Sequence, residues 1–276
     1  ASSLLDMPGT MVQACGLAVQ QALEGIKYRL TNDLSFCITG EDVSINSRCD
    51  INTYPEMVYG FCLSRIIHYI VALRRKYPEE RILISKYDFS DAYRRMAHGA
   101  SSAIQTILVH GARAYIYLRL TFGASANPAV WCGFSEMVCD LSNEITLIGD
   151  WDPDILFSPI QPVVPDPIYV DPCVPLAPAT AMAVEVPTTS LGRGDCFLDD
   201  IIKVFVARWD IIKRNAASVP LAMHVSMRPL AKDEPVPRKE TLSLTKLLLE
   251  GTPSERMIVL GWMIDTRRLL LQLPKD

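Results

Sequence analysis

The chain has 276 residues, a formal net charge of −4 and 49% hydrophobic side chains, enough to bury a substantial core in one large domain or two small ones. Its best membrane candidate, IIHYIVAL at 66–73, is bracketed by Arg65 and by Arg74, Arg75 and Lys76, well short of the roughly 18 uncharged apolar residues that a span needs, so no membrane partner is expected. The acidic total argues mildly against nucleic acid, yet residues 61–120 hold ten Lys or Arg against four acids, while residues 141–200 hold one Arg against ten.

Such a lopsided field suits a metal-dependent enzyme that acts on a polyanion. The N-terminal ASSLLDMPGT has neither a basic start nor a long apolar core, so no secretory signal is expected, and other domains of a common polyprotein are expected as partners. The eight cysteines form no CxxC pair; free, mostly buried thiols in an intracellular, reducing compartment are expected, without a zinc site.

In chain order, MVQACGLAVQQALEGI at 11–26 has good helix formers at helical spacing and predicts an amphipathic helix, making residues 1–26 an N-terminal helical segment. KYRLTNDLSF at 27–36 predicts a short strand, and a longer helix is expected from Pro55 to Lys76, with Pro at its start and a basic last turn. RILISKYDF at 81–89 and ARAYIYLRLTFG at 112–123 read as strands, and 126–145 as a helix with Pro128 in its first turn. Residues 151–190 carry nine of the nineteen prolines and no period, which predicts a long extended insertion or mobile loop. GDCFLDDIIKVFVA at 194–207 reads as a hairpin, residues 209–227 as a helix, 231–240 as a polar loop, and MIVLGWMIDTRRLLLQLP at 257–274 as a final hairpin.

Within the first of those hairpins Asp199 and Asp200 sit between apolar pairs. Buried without partners, two carboxylates would cost several kcal/mol, by rough estimate. A plain turn is one explanation; a hairpin tip that offers carboxylates to divalent cations is the other.

Two further segments bear on the choice. KYDFSDAYRR at 86–95 resembles motif A of the reverse transcriptases, LTFGASANPAVW at 120–131 resembles their motif B, and FLDD at 197–200 resembles motif C. RLTNDLS at 29–35 with SIN at 44–46 is similar to the fingers segment of that family, and LGWMIDT at 260–266 to the closing hairpin of retrotransposon enzymes, in flavour closest to DIRS-like (tyrosine-recombinase) elements. The likeness covers about residues 27–276. Phe197 stands where Tyr is usual, and Thr121 and Phe122 stand where retroviral enzymes have Pro and Gln.

The resemblance implies an α+β fold: fingers at 27–80, palm with motifs A and B at 81–150, the Pro-rich insertion at 151–190, and palm with motif C and a primer-grip-like hairpin at 191–276. It implies an RNA-directed DNA polymerase that uses two Mg2+ ions, with Mn2+ as a substitute, deoxynucleoside triphosphates, and an RNA or DNA template with its primer. Asp88, Asp199 and Asp200 would be the catalytic metal ligands, with the Phe89 carbonyl as an extra one. Strand alternation makes Asp199 a stronger ligand than Asp200. Arg29 would meet the triphosphate, Asp91 and Ala92 would offer backbone N–H groups to it, and Tyr93 would lie under the sugar. Gly123 would let the backbone approach template or nucleotide, Gly261 and Trp262 would grip the primer, and Lys246 would be the general acid for pyrophosphate. A catalytically inactive, domesticated nucleic-acid-binding module and a two-metal nuclease are the alternatives that the residues leave open.

Overall fold

The computed structural model describes residues 5–274 apart from 23–24, 38–42, 58, 149–150, 153, 180–190, 232 and 234–237. The chain is mixed α+β and divides into two compact units, Ala1–Glu56 with Asp91–Gly133, and Met57–Ser90 with Phe134–Asp276. Residues 57–80, expected with the fingers, thus belong to the second unit, and residues 91–133, expected with the palm, belong to the first. Motif A is divided between the units just after Ser90.

The first unit is built on a sheet of order β2-β1-β4-β5, with β1 Val12–Ala22, β2 Gly25–Asp33, β4 Ile107–His110 and β5 Arg113–Ile116. The helix expected over 11–26 is therefore a strand. β1 and β2 pair antiparallel over nine residue pairs, from Ala14↔Asp33 to Ala22↔Gly25, while β1 meets β4 through only two pairs, Val12↔Ile107 and Gln13↔Leu108. Nine ladder pairs outweigh the helix propensity of a segment rich in Ala, Gln and Leu. The ribbon's register puts Leu17, Val19, Ile26, Tyr28 and Leu30 on one face, all exposed, and Lys27 and Arg29 on the other. The strand expected at 112–123 is shorter than its sequence run; its partner β4 went unpredicted.

In the second unit three strands, β3 Ile82–Asp88, β6 Gly192–Phe197 and β7 Asp200–Val206, form an antiparallel sheet with β7 in the middle. Period-2 alternation sends Ile82, Ile84, Ile202, Val204 and Val206 to one face, where they pack on Cys62, Ile66, Ile70 and Leu73 of helix α1 (Cys62–Lys76). Those four α1 positions recur at helical spacing, which is why this helix was legible. It begins seven residues after Pro55, behind the 3-10 turns Ile51–Thr53 and Tyr59–Phe61. Leu83 and Phe205 face the other way and pack with Ala216 of α4. The remaining helices are α2 Ala100–Ala103, α3 Asn127–Ile148, α4 Trp209–Ser226 and α5 Leu244–Glu250. A second sheet, β8 Arg256–Val259, β9 Trp262–Asp265 and β10 Leu270–Gln272, is a meander of order β10-β9-β8.

Helix α4 contains Pro220, which lacks the N–H that would bond the carbonyl of Ala216 one turn earlier. That carbonyl is not left orphaned: the hydroxyl of the buried Tyr87 donates to it at 2.8 Å, across from β3. The sheet thus satisfies the acceptor that the proline frees.

The Pro-rich stretch is less loose than its composition predicts. The Val170 N–H donates to Glu255 Oε2 at 2.8 Å, Ile168 N–H to the Pro253 carbonyl at 2.8 Å and Ala177 N–H to the Arg267 carbonyl at 2.8 Å. The Arg267 guanidinium, itself paired with the buried Glu255 at 3.0 Å, donates to the carbonyls of Pro172 and Val174. Ser158 is bonded to His224 Nδ1 at 2.8 Å, and His224 Nε2 to Glu240 at 2.6 Å. Polar anchors of this density replace the backbone ladder that prolines cannot make. Residues 180–190 of the insertion and residues 232 and 234–237 of the polar loop lie outside the described residues.

All eight cysteines are free; Cys62, Cys132, Cys139 and Cys196 are buried, while Cys15, Cys37 and Cys173 are exposed. Among the described residues no helix is long and apolar enough to cross a membrane.

Candidate active site

The acidic residues meet at one end of the β3–β7 pair. Asp88 is the last residue of β3, Asp200 the first of β7, and the antiparallel register places them directly opposite each other. Directly opposed residues project to the same face with Cβ atoms about 5 Å apart, so two carboxylates separated by more than a hundred positions are cross-strand neighbours. Asp199 lies in the two-residue turn that joins Phe197 to Asp200, and its carbonyl accepts from the Phe89 N–H at 3.4 Å. The turn is bent by Leu198, whose φ of 55° is in the left-handed region, a conformation that costs a branched side chain on the order of 1 kcal/mol.

Alternation along KYD also puts Lys86 on the face of Asp88. The sequence reading missed Lys86, although this i, i+2 spacing signals it. Asp88 is 6% exposed. Burial, together with the charges of Asp88 and Asp199, pushes the Asp200 carboxyl up to about 6 against the opposing pull of Lys86 and Lys246.

Lys246, on α5, is the other cation. Its Nζ stands 2.8 Å from Asp88 Oδ1. Burial works against its charge, but the hydrogen bond to Asp88 and the fields of Asp88, Asp200 and Asp199 raise its pKa above the ordinary lysine value. Lys86 is held separately, 2.9 Å from Glu250. Phe89 is 2% exposed, bridged to Leu242 and edge-on to Phe134 at 6.2 Å. It is a packing residue as well as the neighbour of the acidic turn.

The donor set is right for a hard cation: carboxylate oxygens. As the side chains stand, however, no three His, Cys, Asp or Glu among the described residues converge into a closed metal cluster, and an ammonium occupies one oxygen of Asp88. Asp88, Asp199 and Asp200 are the residues that would hold the ions.

The other expected site residues lie on other elements. Arg29 is on the basic face of the β1–β2 ribbon. Asp91, with φ 54°, starts the 3-10 turn Ala92–Arg95, and Tyr93 of that turn packs edge-on against Phe122 at 5.0 Å and Trp131 at 6.4 Å. Gly123, at φ 101°, makes a close approach to the chain itself: a Cβ there would meet the Asn32 carbonyl oxygen at 2.2 Å. Asn46 of the SIN segment then clamps the turn, donating to the Gly123 carbonyl and accepting from the Ser125 N–H, both at 2.9 Å. Sequence reading had not linked these segments. All of these residues belong to the first unit. In the second, Leu260 and Gly261 both have positive φ at the tip of the β8–β9 hairpin, the two-residue turn whose twist matches its strands, and Trp262 beside them is 37% exposed.

No protein-family profile matches this chain, and no characterised protein matches it in sequence.

Proposed function

We propose that the chain is the fingers and palm of an intracellular retroelement's RNA-directed DNA polymerase, a reverse transcriptase. The observation that carries the proposal is the register of β3 and β7, which sets Asp88 opposite Asp200 with Asp199 in the adjoining turn. Directly opposed like charges destabilise a sheet by themselves, and a site that binds cations is what such a register suits.

Two Mg2+ ions, or Mn2+ in their place, would supply charge neutralisation to the attacking and leaving oxygens of nucleotide addition. The chain's own residues supply the rest. Asp88 and Asp199 would hold the ions, with Asp200, opposite Asp88, in support. By the resemblance, Arg29 of the β1–β2 ribbon would receive the triphosphate. By the same resemblance, the N–H groups of Asp91 and Ala92 would meet the phosphates, and Tyr93, packed edge-on against Phe122 and Trp131, would lie beneath the sugar. Gly261 and Trp262 present the primer, and the substrates are deoxynucleoside triphosphates and a primed RNA or DNA template.

Extension of a labelled primer on an RNA template, with Mg2+ and the four triphosphates, tests the reading. Asp199→Asn should lower the rate by about a hundredfold or more, the scale expected when a ligand of a two-metal site is lost. Equal extension by wild type and variant would defeat the assignment. A non-catalytic nucleic-acid-binding module is the second reading, favoured by the ammonium on Asp88; template binding without extension or metal uptake would select it.

A further inference from the structure

The acidic turn is matched by a cation that the chain carries on a fixed base. Helix α5 and its flanks are strapped to β3 at both ends. On the N-terminal side the Ser243 N–H donates to the Asp88 carbonyl at 2.9 Å, the Ser90 N–H donates to the Thr241 carbonyl at 2.8 Å, and Leu242 bridges Phe89. On the C-terminal side the Lys86 N–H donates to the Gly251 carbonyl at 3.4 Å, and the backbones are so close that a Cβ at Gly251 would meet the Lys86 carbonyl oxygen at 2.1 Å. The backbone beneath Lys246 therefore has little room to shift, whereas its side chain is 49% exposed and can swing on its flexible four-carbon stem.

Of the two lysines beside the carboxylates, Lys86 is engaged with Glu250, and Lys246 is the one seated on Asp88. A compact ammonium is the side-chain group nearest in character to a small hard cation. Resting on the metal-dependent reading above, we propose that Lys246 is a built-in placeholder: its ammonium offsets the repulsion among Asp88, Asp199 and Asp200 in the ion-free protein, competes with a divalent ion for Asp88, and swings out when that ion binds. The proposal accounts for carboxylates that are neighbours by register yet do not stand as a closed cluster. A half-exposed ion pair is weak enough for a divalent ion to displace and strong enough to leave a measurable mark on its affinity. It makes Lys246 a positioning residue, with a duty separate from proton transfer.

The test is a Mn2+ titration of the full chain without nucleotide or nucleic acid, following free Mn2+ by paramagnetic resonance, on wild type, Lys246→Met, Lys246→Arg and Asp199→Asn. Removing the competitor should tighten Mn2+ binding by about two- to fivefold in Lys246→Met, the span expected of one partly exposed pair. Lys246→Arg, which restores the charge, should return toward wild type. In parallel, acetylation of Lys246 read by mass spectrometry should rise when Mn2+ is added to wild type, while that of Lys86 stays level. Unchanged or weaker binding in Lys246→Met, or Lys246 labelling indifferent to Mn2+, would overturn the placeholder even where Asp199→Asn loses the ion and the metal reading stands. No Mn2+ uptake by wild type and Lys246→Met alike would overturn both.

Discussion

Single side chains set several of the terms on which this fold is stable. Lys203 is fully buried on β7 and bonds to three neutral oxygens of α3, those of Ser142, Asn143 and Thr146. Burial lowers its pKa to about 7 from the usual 10.5. Between those two values the unfolded chain binds a proton that the folded chain does not, so this group makes stability fall as pH drops from 10.5 toward 7, by at most about 1.4 kcal/mol per pH unit. Lys203→Met should remove that slope and be more stable than wild type at pH 7, as read by denaturant unfolding across pH 7–10. Gly123 acts through space and backbone together. With its φ of 101° and the Asn32 carbonyl 2.2 Å from any added Cβ, Gly123→Ala should cost about 3 kcal/mol in the same measurement. The glycine was legible in the sequence as a residue that permits close approach; that the approaching group is the chain's own strand was not, because Asn32 is some ninety positions away.

At the scale of elements, the recurring device is one element completing another. Tyr87 supplies the hydroxyl that Pro220 makes necessary, joining β3 to α4. Tyr87→Phe should cost about 1–2 kcal/mol by leaving the Ala216 carbonyl unsatisfied. Pro220→Ala restores the helix's own donor, so the loss on adding Tyr87→Phe should be smaller in that background; a double-mutant cycle by thermal unfolding reads the coupling, and strictly additive costs would contradict it. Arg65 of α1 similarly grips Asp195 of β6 through two N–H donors. Helices α1, α3 and α4 were legible because their apolar faces or cap residues repeat locally. The final hairpin was legible as well, although it is a three-stranded meander. The strand β1 was not, since its residues satisfy a helical period and only its partner β2 decides otherwise.

Over the whole molecule, the amino-acid sequence by itself determined the alternation that brings Ile202, Val204 and Val206 to one face and Lys86 and Asp88 to another strand's matching face, because side chains on a strand must alternate whatever the rest of the chain does. It determined, too, that Asp199 and Asp200 sit where two apolar strands turn. Tertiary structure decided the remainder: that Asp88 lies opposite Asp200, that the ammonium of Lys246 reaches it, that the chain divides after Ser90 and again after Gly133, and that a proline-rich stretch is pinned by Glu255 and Arg267. These depend on which distant backbones share a ladder and which charges share a desolvated space. Register and desolvation are properties of the assembled chain, carried by no local period.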